Sequence, residues 1–123
     1  PLSNKQHTLY AAALEQIHHN LALIRAGVSF AEFNEKSWQI PEKYLNYRYS
    51  LAGHGVGMAD EWPIILLHPD FAHNHGGHFE ANMVVCVESL IGEAGSESIK
   101  LETQVLVTET GIERLDSFPW EIG

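Results

Sequence analysis

Apolar residues recur at helical intervals through the first part of the chain, where Tyr10, Leu14, Ile17, Leu21 and Ile24 share one face of a 3.6-residue period. Ser3 and Gln6 stand at capping-box spacing ahead of that stripe and Gly27 follows it, so the spacing predicts a helix bounded by Ser3 and Gly27. Ser29 and Glu32 repeat the capping signal, and Phe30, Phe33 and Trp38 predict a shorter second helix that ends before Pro41. Beyond Pro41 the helical period is lost. Residues 47–51 read as extended, and Gly53, Gly55 and Gly57 allow a bend or a close approach of backbone to a ligand. Residues 63–67 predict a further strand. Residues 68–78, with Pro69, Asp70, Asn74, Gly76 and Gly77, predict a loop.

The clearest strands come last. Residues 83–91 are apolar on both faces, as in a strand covered on both sides. Residues 99–108 alternate: Ile99, Leu101, Val105 and Val107 share one face and are expected to pack on the helices. Lys100, Glu102, Gln104 and Leu106 share the other, which is expected to line a cleft. Thr110-Gly111 then predicts a turn into a short strand at 112–115. The pattern is α+β, two helices followed by antiparallel strands, with no solenoid repeat and no low-complexity segment.

Composition narrows the function classes. A chain of 123 residues with 45% hydrophobic content supports one packed domain. Seven basic against sixteen acidic residues leave a formal charge of −9, the wrong sign for a nucleic-acid binder. The single cysteine, Cys86, lies in an apolar run and reads as a small buried hydrophobe without a disulfide partner, consistent with a cytoplasmic protein. No apolar run approaches the roughly 20 residues of a membrane helix, and no signal-peptide pattern opens the chain. Pro1 stands directly before the first helix signal without an initiating methionine, so the chain is expected to be part of a longer protein.

Three residues carry the candidate chemistry. Glu88 shares a strand face with Val84, Cys86 and Leu90, where an ionised carboxylate is costly without a partner; the partner is either a metal ion or a salt bridge. Glu102 is either a second ligand or a solvated acid on an open strand face. His54 lies between glycines, placed either to approach a metal closely or simply in a glycine-rich turn. One imidazole and two carboxylates from separate extended segments suit a catalytic divalent ion better than a structural zinc. His68, His73, His75 and His78 match no helical or strand face and read as a solvated or substrate-proximal loop. His18 and His19, adjacent on a helix, cannot both face one ion.

Gly53-His54-Gly55-Val56-Gly57, Glu61-Trp62-Pro63, Val87-Glu88-Ser89 and the run from Ile99 to Thr108 followed by Gly111 together resemble the C-terminal half of the pita-bread metalloenzyme fold. That superfamily contains creatinase, Xaa-Pro aminopeptidase, prolidase and methionine aminopeptidase. The resemblance covers almost the whole chain and implies two helices packed on a curved antiparallel sheet. It also implies that His54, Glu88 and Glu102 are three of five ligands to two divalent ions (iron, manganese, cobalt or zinc). The remaining two ligands would be aspartates from a preceding half, and Asp60, Asp70 and Asp116 stand in no comparable motif. Where the peptidases carry a second histidine before the Glu-x-Pro element, this chain has Asp60, which cannot donate a hydrogen bond to a substrate carbonyl while ionised.

With Tyr49 and the passage Glu88-Ser89-Leu90-Ile91-Gly92-Glu93, Asp60 makes the chain most similar to the dimethylsulfoniopropionate lyase branch. In that branch the aspartate removes a proton and the tyrosine positions substrate. The resemblance thus implies a metal-dependent lyase of a small molecule. An Xaa-Pro peptidase acting on short peptides, or a module inert by itself for want of the aspartates, are the alternatives. Half of a pseudo-twofold fold is further expected to pair as a homodimer.

Overall fold

The computed structural model describes residues 1–71 and 76–122. Helix α1 spans Asn4–Ala22, and both bonds of its capping box are made: the Ser3 side chain accepts from the Gln6 N–H, and the Gln6 side chain accepts from the Ser3 N–H. It ends one turn before Gly27. Leu23 and Ile24 donate to the carbonyls of Asn20 and Leu21, a tightening that closes the helix, and the next donors are taken by the sheet side of the molecule. Ala26 N–H bonds Thr108 and Gly27 N–H bonds Phe79, with Gly27 at φ 90°.

Helix α2 spans Phe30–Lys36, capped by Ser29 on Glu32, and stops short of the predicted limit because Trp38 donates its N–H to the Asn20 side chain instead of continuing the helix. A single helical turn, α3 (Glu42–Leu45), follows Pro41 where no helix was expected.

Five strands form one antiparallel sheet in the order β2-β1-β3-β4-β5: β1 Leu51–Val56, β2 Asp60–Leu66, β3 Val84–Gly92, β4 Ser98–Val107 and β5 Ile112–Arg114. The last three lie within a residue of their predicted positions. β1 does not: it starts where the expected extended segment ends and runs through the glycines. Close strand approach explains the shift. A Cβ on Gly53 would lie 2.4 Å from the Cys86 carbonyl oxygen, and one on Gly55 would lie 2.1 Å from that of Trp62. Gly53 and Gly55 are therefore ladder positions, and Gly57 falls in the bend that follows β1.

The two longer helices cover one face of the sheet. Ile17, Leu21, Phe30 and Phe33 pack with Phe79 against Val85, Val87, Val105 and Val107, while Leu9, Ala13, Tyr44 and Ile91 extend the core to its edge. The assignment of Val105 and Val107 to the helix face holds. Ser89 donates to the Ala13 carbonyl, a hydrogen bond that ties β3 to α1. Among the described residues no helix is long and apolar enough to cross a membrane.

Replacing Gly55 by alanine forces β1 away from β2, an overpacking cost of about 1–3 kcal/mol. Gly111→Ala, where an added Cβ meets nothing within 4 Å, is the matched control. Thermal unfolding of the two variants is expected to separate them, with only Gly55→Ala losing several degrees.

Candidate metal centre

The face of the sheet away from the helices gathers the polar residues. Register aligns His54 with Cys86 and Cys86 with Gln104 across three strands, and one step along it pairs Glu88 with Glu102. Because alternate residues share a face, His54, Cys86, Glu88, Lys100 and Glu102 all project to the same side. The two-residue alternation of β4 and the central position of β3 thus put all three residues singled out in the sequence on one face.

His54 is 7% exposed, and its Nδ1 lies 2.8 Å from the Gly55 carbonyl oxygen. A carbonyl can only accept, so Nδ1 carries a proton and Nε2 is the nitrogen turned to other partners. That nitrogen faces carboxylates: Asp60 Oδ1 at 3.6 Å and Glu88 Oε2 at 3.9 Å. Two carboxylates facing one imidazole nitrogen favour positive charge there, as a proton on Nε2 or as a metal ion between the groups.

Glu88 sharpens the requirement. It is 3% exposed, and its Oε2 is buried with no hydrogen-bond partner. Its Oε1 is held by Lys100 Nζ at 2.5 Å, which also reaches Glu102 Oε2 at 3.3 Å and sits 5.5 Å from the centre of the Tyr49 ring. The hydrogen bond and charge of Glu88 push the Lys100 ammonium upward. Cys86 donates its S–H to Glu102 Oε1 at 2.7 Å. That bond, with Lys100, lowers the Glu102 carboxyl, while burial and then Glu102 push the thiol up.

Three carboxylates, Asp60, Glu88 and Glu102, surround one ammonium and one imidazole, an excess of acidic groups. The donor atoms of His54, Cys86 and Glu102 also lie within 4.8 Å of one another. An orphaned carboxylate oxygen, an imidazole nitrogen turned to carboxylates and an excess of acidic groups fit a divalent metal ion, for which His54, Glu88 and Glu102 could serve as donors.

The family model for metallopeptidase family M24 matches residues 1–109. The chain belongs to this family. It is 40% identical over 112 residues to the dimethylsulfoniopropionate lyase DddP of Roseovarius nubinhibens, an alignment that takes 89% of this chain and 25% of that protein. It is 28% identical over 116 residues to the Xaa-Pro dipeptidase of Pyrococcus furiosus, across 92% of this chain and 32% of that one. The solved prolidase of Pyrococcus furiosus superposes with a TM-score of 0.81 at 25% identity, covering 97% of this chain and 34% of that structure. The chain therefore spans about a quarter to a third of the length of these relatives, and its fold is the half pita-bread that the motifs implied.

The remaining candidates sort by position. Tyr49 precedes β1, and a register shift between Leu51 and Gly53 offsets the parity that would have put it opposite His54. Its ring meets Lys100, on the side of Glu88 and Glu102. Asp70 is held by the Arg48 guanidinium at 2.5 Å, which keeps its carboxyl below the ordinary range, and Asp116 bonds Thr103 and Arg114. Neither is one of the carboxylates around His54.

His68 and His78 are exposed, His78 with Glu80 at 3.4 Å; His73 and His75 lie outside the described residues. His18 contacts the Trp120 ring and His19 the Lys36 carbonyl. Lys100 and Cys86 were given no role in the site by the sequence. Their signal was parity, Lys100 two residues from Glu102 and Cys86 two from Glu88.

Lys100→Met removes the cation bonded to Glu88 and leaves a buried carboxylate unpaired. The metal-free variant is expected to lose about 2–3 kcal/mol, below the range for a fully buried pair because Lys100 is half-exposed. Saturating divalent metal is expected to restore most of that loss, so denaturant unfolding with and without metal reads the effect.

Proposed function

We propose that the protein is the C-terminal part of a metal-dependent lyase that cleaves dimethylsulfoniopropionate to dimethyl sulfide and acrylate. The observation that carries this reading is Asp60, a carboxylate 3.6 Å from His54 Nε2 where a peptidase needs a hydrogen-bond donor. His54, Glu88 and Glu102 would hold the metal centre, which two aspartates from a preceding segment would complete with a second ion. When bound, such ions supply positive charge to a substrate carboxylate and so stabilise the charge that develops on its neighbouring carbon.

The residues of this chain do the rest. Asp60 is 74% exposed on its side chain and therefore accessible to substrate. Its carboxylate takes the proton from the carbon next to the substrate carboxylate. The C–H electron pair forms the new C=C bond, the C–S bond breaks, and its electron pair leaves with dimethyl sulfide. Acrylate remains, and Asp60 returns its proton to solvent. Tyr49 lines the approach to Glu88 and Glu102 and positions the substrate. The closer sequence relation to a dimethylsulfoniopropionate lyase than to an Xaa-Pro dipeptidase supports the same reading.

A second reading, an Xaa-Pro peptidase, draws on the prolidase likeness of the fold. The third, a module inert by itself, draws on the aspartates that this chain lacks. Incubation of the complete gene product with dimethylsulfoniopropionate or with an Xaa-Pro dipeptide separates them. Dimethyl sulfide is expected in the headspace of the first, and Asp60→Asn is expected to lower its release by about 10²–10⁴-fold while metal still binds. Dipeptide cleavage without dimethyl sulfide overturns the lyase reading in favour of the peptidase.

The same reading places the enzyme in the cytoplasm as a homodimer, with its apolar patches, Phe118 at 75% exposure among them, covered in the assembly. Sedimentation is expected to give a dimer mass; a stable monomer at high concentration overturns the assembly.

A further inference from the structure

Cys86 entered as a buried hydrophobe, yet its sulfur lies on the polar face of β3, among the candidate ligands. Its backbone pairs with that of His54 on one side and Gln104 on the other, which leaves its side chain one rung from the Glu88–Glu102 pair. It is 2% exposed, and its Sγ is 2.7 Å from Glu102 Oε1. The donor atoms of His54, Cys86 and Glu102 all fall within 4.8 Å of one another, a spacing compatible with donors about 2.0–2.3 Å from a shared ion.

A second observation points to a cation at the same place. Glu88 Oε2 is buried without a partner and lies 3.9 Å from His54 Nε2, the nitrogen left bare by the Nδ1 bond to Gly55. A cleft of about 400 Å³ opens beside Cys86 and Glu102, walled by Leu115, Phe118 and Trp120, and gives an ion a route in from solvent.

We propose that Cys86 is a thiolate ligand that joins His54 and Glu102 beside Glu88 and suits the centre to a borderline-soft divalent ion. The inference rests on the metal-centre reading above and deepens it by naming the class of ion. Binding forms a metal–sulfur bond and breaks the S–H bond; the proton now donated to Glu102 leaves to solvent, and Glu102 Oε1 is freed to face the ion. A sulfur donor strengthens the preference for zinc and cobalt(II) over manganese and magnesium.

The test is a titration of the chain with cobalt(II), read by absorption and by calorimetry. The expected result is a near-ultraviolet thiolate-to-cobalt band that saturates at one ion per chain, absent in Cys86→Ser, with affinity in that variant lower by about tenfold or more. Zinc is expected to displace the cobalt and magnesium is not. The band in the parent chain decides the question even where the serine variant folds poorly. Cobalt bound without the band, or bound equally tightly by a folded Cys86→Ser, overturns the thiolate ligand and leaves the metal centre standing. Failure of this chain and of the complete gene product alike to bind cobalt or manganese overturns both.

Discussion

A carboxylate buried on the central strand is the constraint around which this structure is arranged. Glu88 is 3% exposed between two neighbouring strands, and desolvation of a charge there costs several kcal/mol unless opposite charge is supplied. Lys100 supplies half of the answer at Oε1. The other oxygen is left facing the imidazole of His54, and that imbalance defines where positive charge must enter. The helix-covered face has no such problem: valines from β3 and β4 meet Ile17, Phe30 and Phe33, and the sheet is held by ordinary apolar packing. The molecule thus separates stability and chemistry onto opposite faces of the same strands.

Lys100 deserves a place in that picture as an internal cation. It bridges Glu88 and Glu102 and borders Tyr49, so the charge that satisfies the metal-free site also lies where substrate is expected to approach. Asp60 is 74% exposed on its side chain, against 46% for Glu102 and 3% for Glu88, so of the two carboxylates that face His54 one is open to solvent and the other is buried. Two carboxylates near one imidazole therefore have distinct environments, and distinct roles follow from burial rather than from residue type.

Much of the fold was legible because its signals are local. A capping box, an alternating strand and a doubly apolar strand each depend on neighbours a few residues apart, and α1, β3, β4 and β5 appear within a few residues of their predicted spans. The misses share a different cause. Gly27 did not end α1, because Ala26 and Gly27 give their N–H groups to Thr108 and Phe79, residues distant in the chain. The glycines of β1 read as a bend, yet they are strand positions whose missing Cβ atoms let Cys86 and Trp62 carbonyls approach. The family pattern placed His54, Glu88 and Glu102 together; it assigned nothing to Cys86 or Lys100, whose parts depend on which oxygen of which carboxylate each one reaches.

By itself the sequence determined the α+β order of elements, the face on which each β4 residue lies and the candidate acids and histidine, because periodicity encodes facing and chemistry encodes donors. Only the tertiary structure decided that His54 turns Nε2 to Glu88 and Asp60, that Lys100 pairs with Glu88, and that the Cys86 thiol lies close to His54 and Glu102. Strand register and the bulge after Leu51 set those distances, and both are fixed by pairing between segments tens of residues apart.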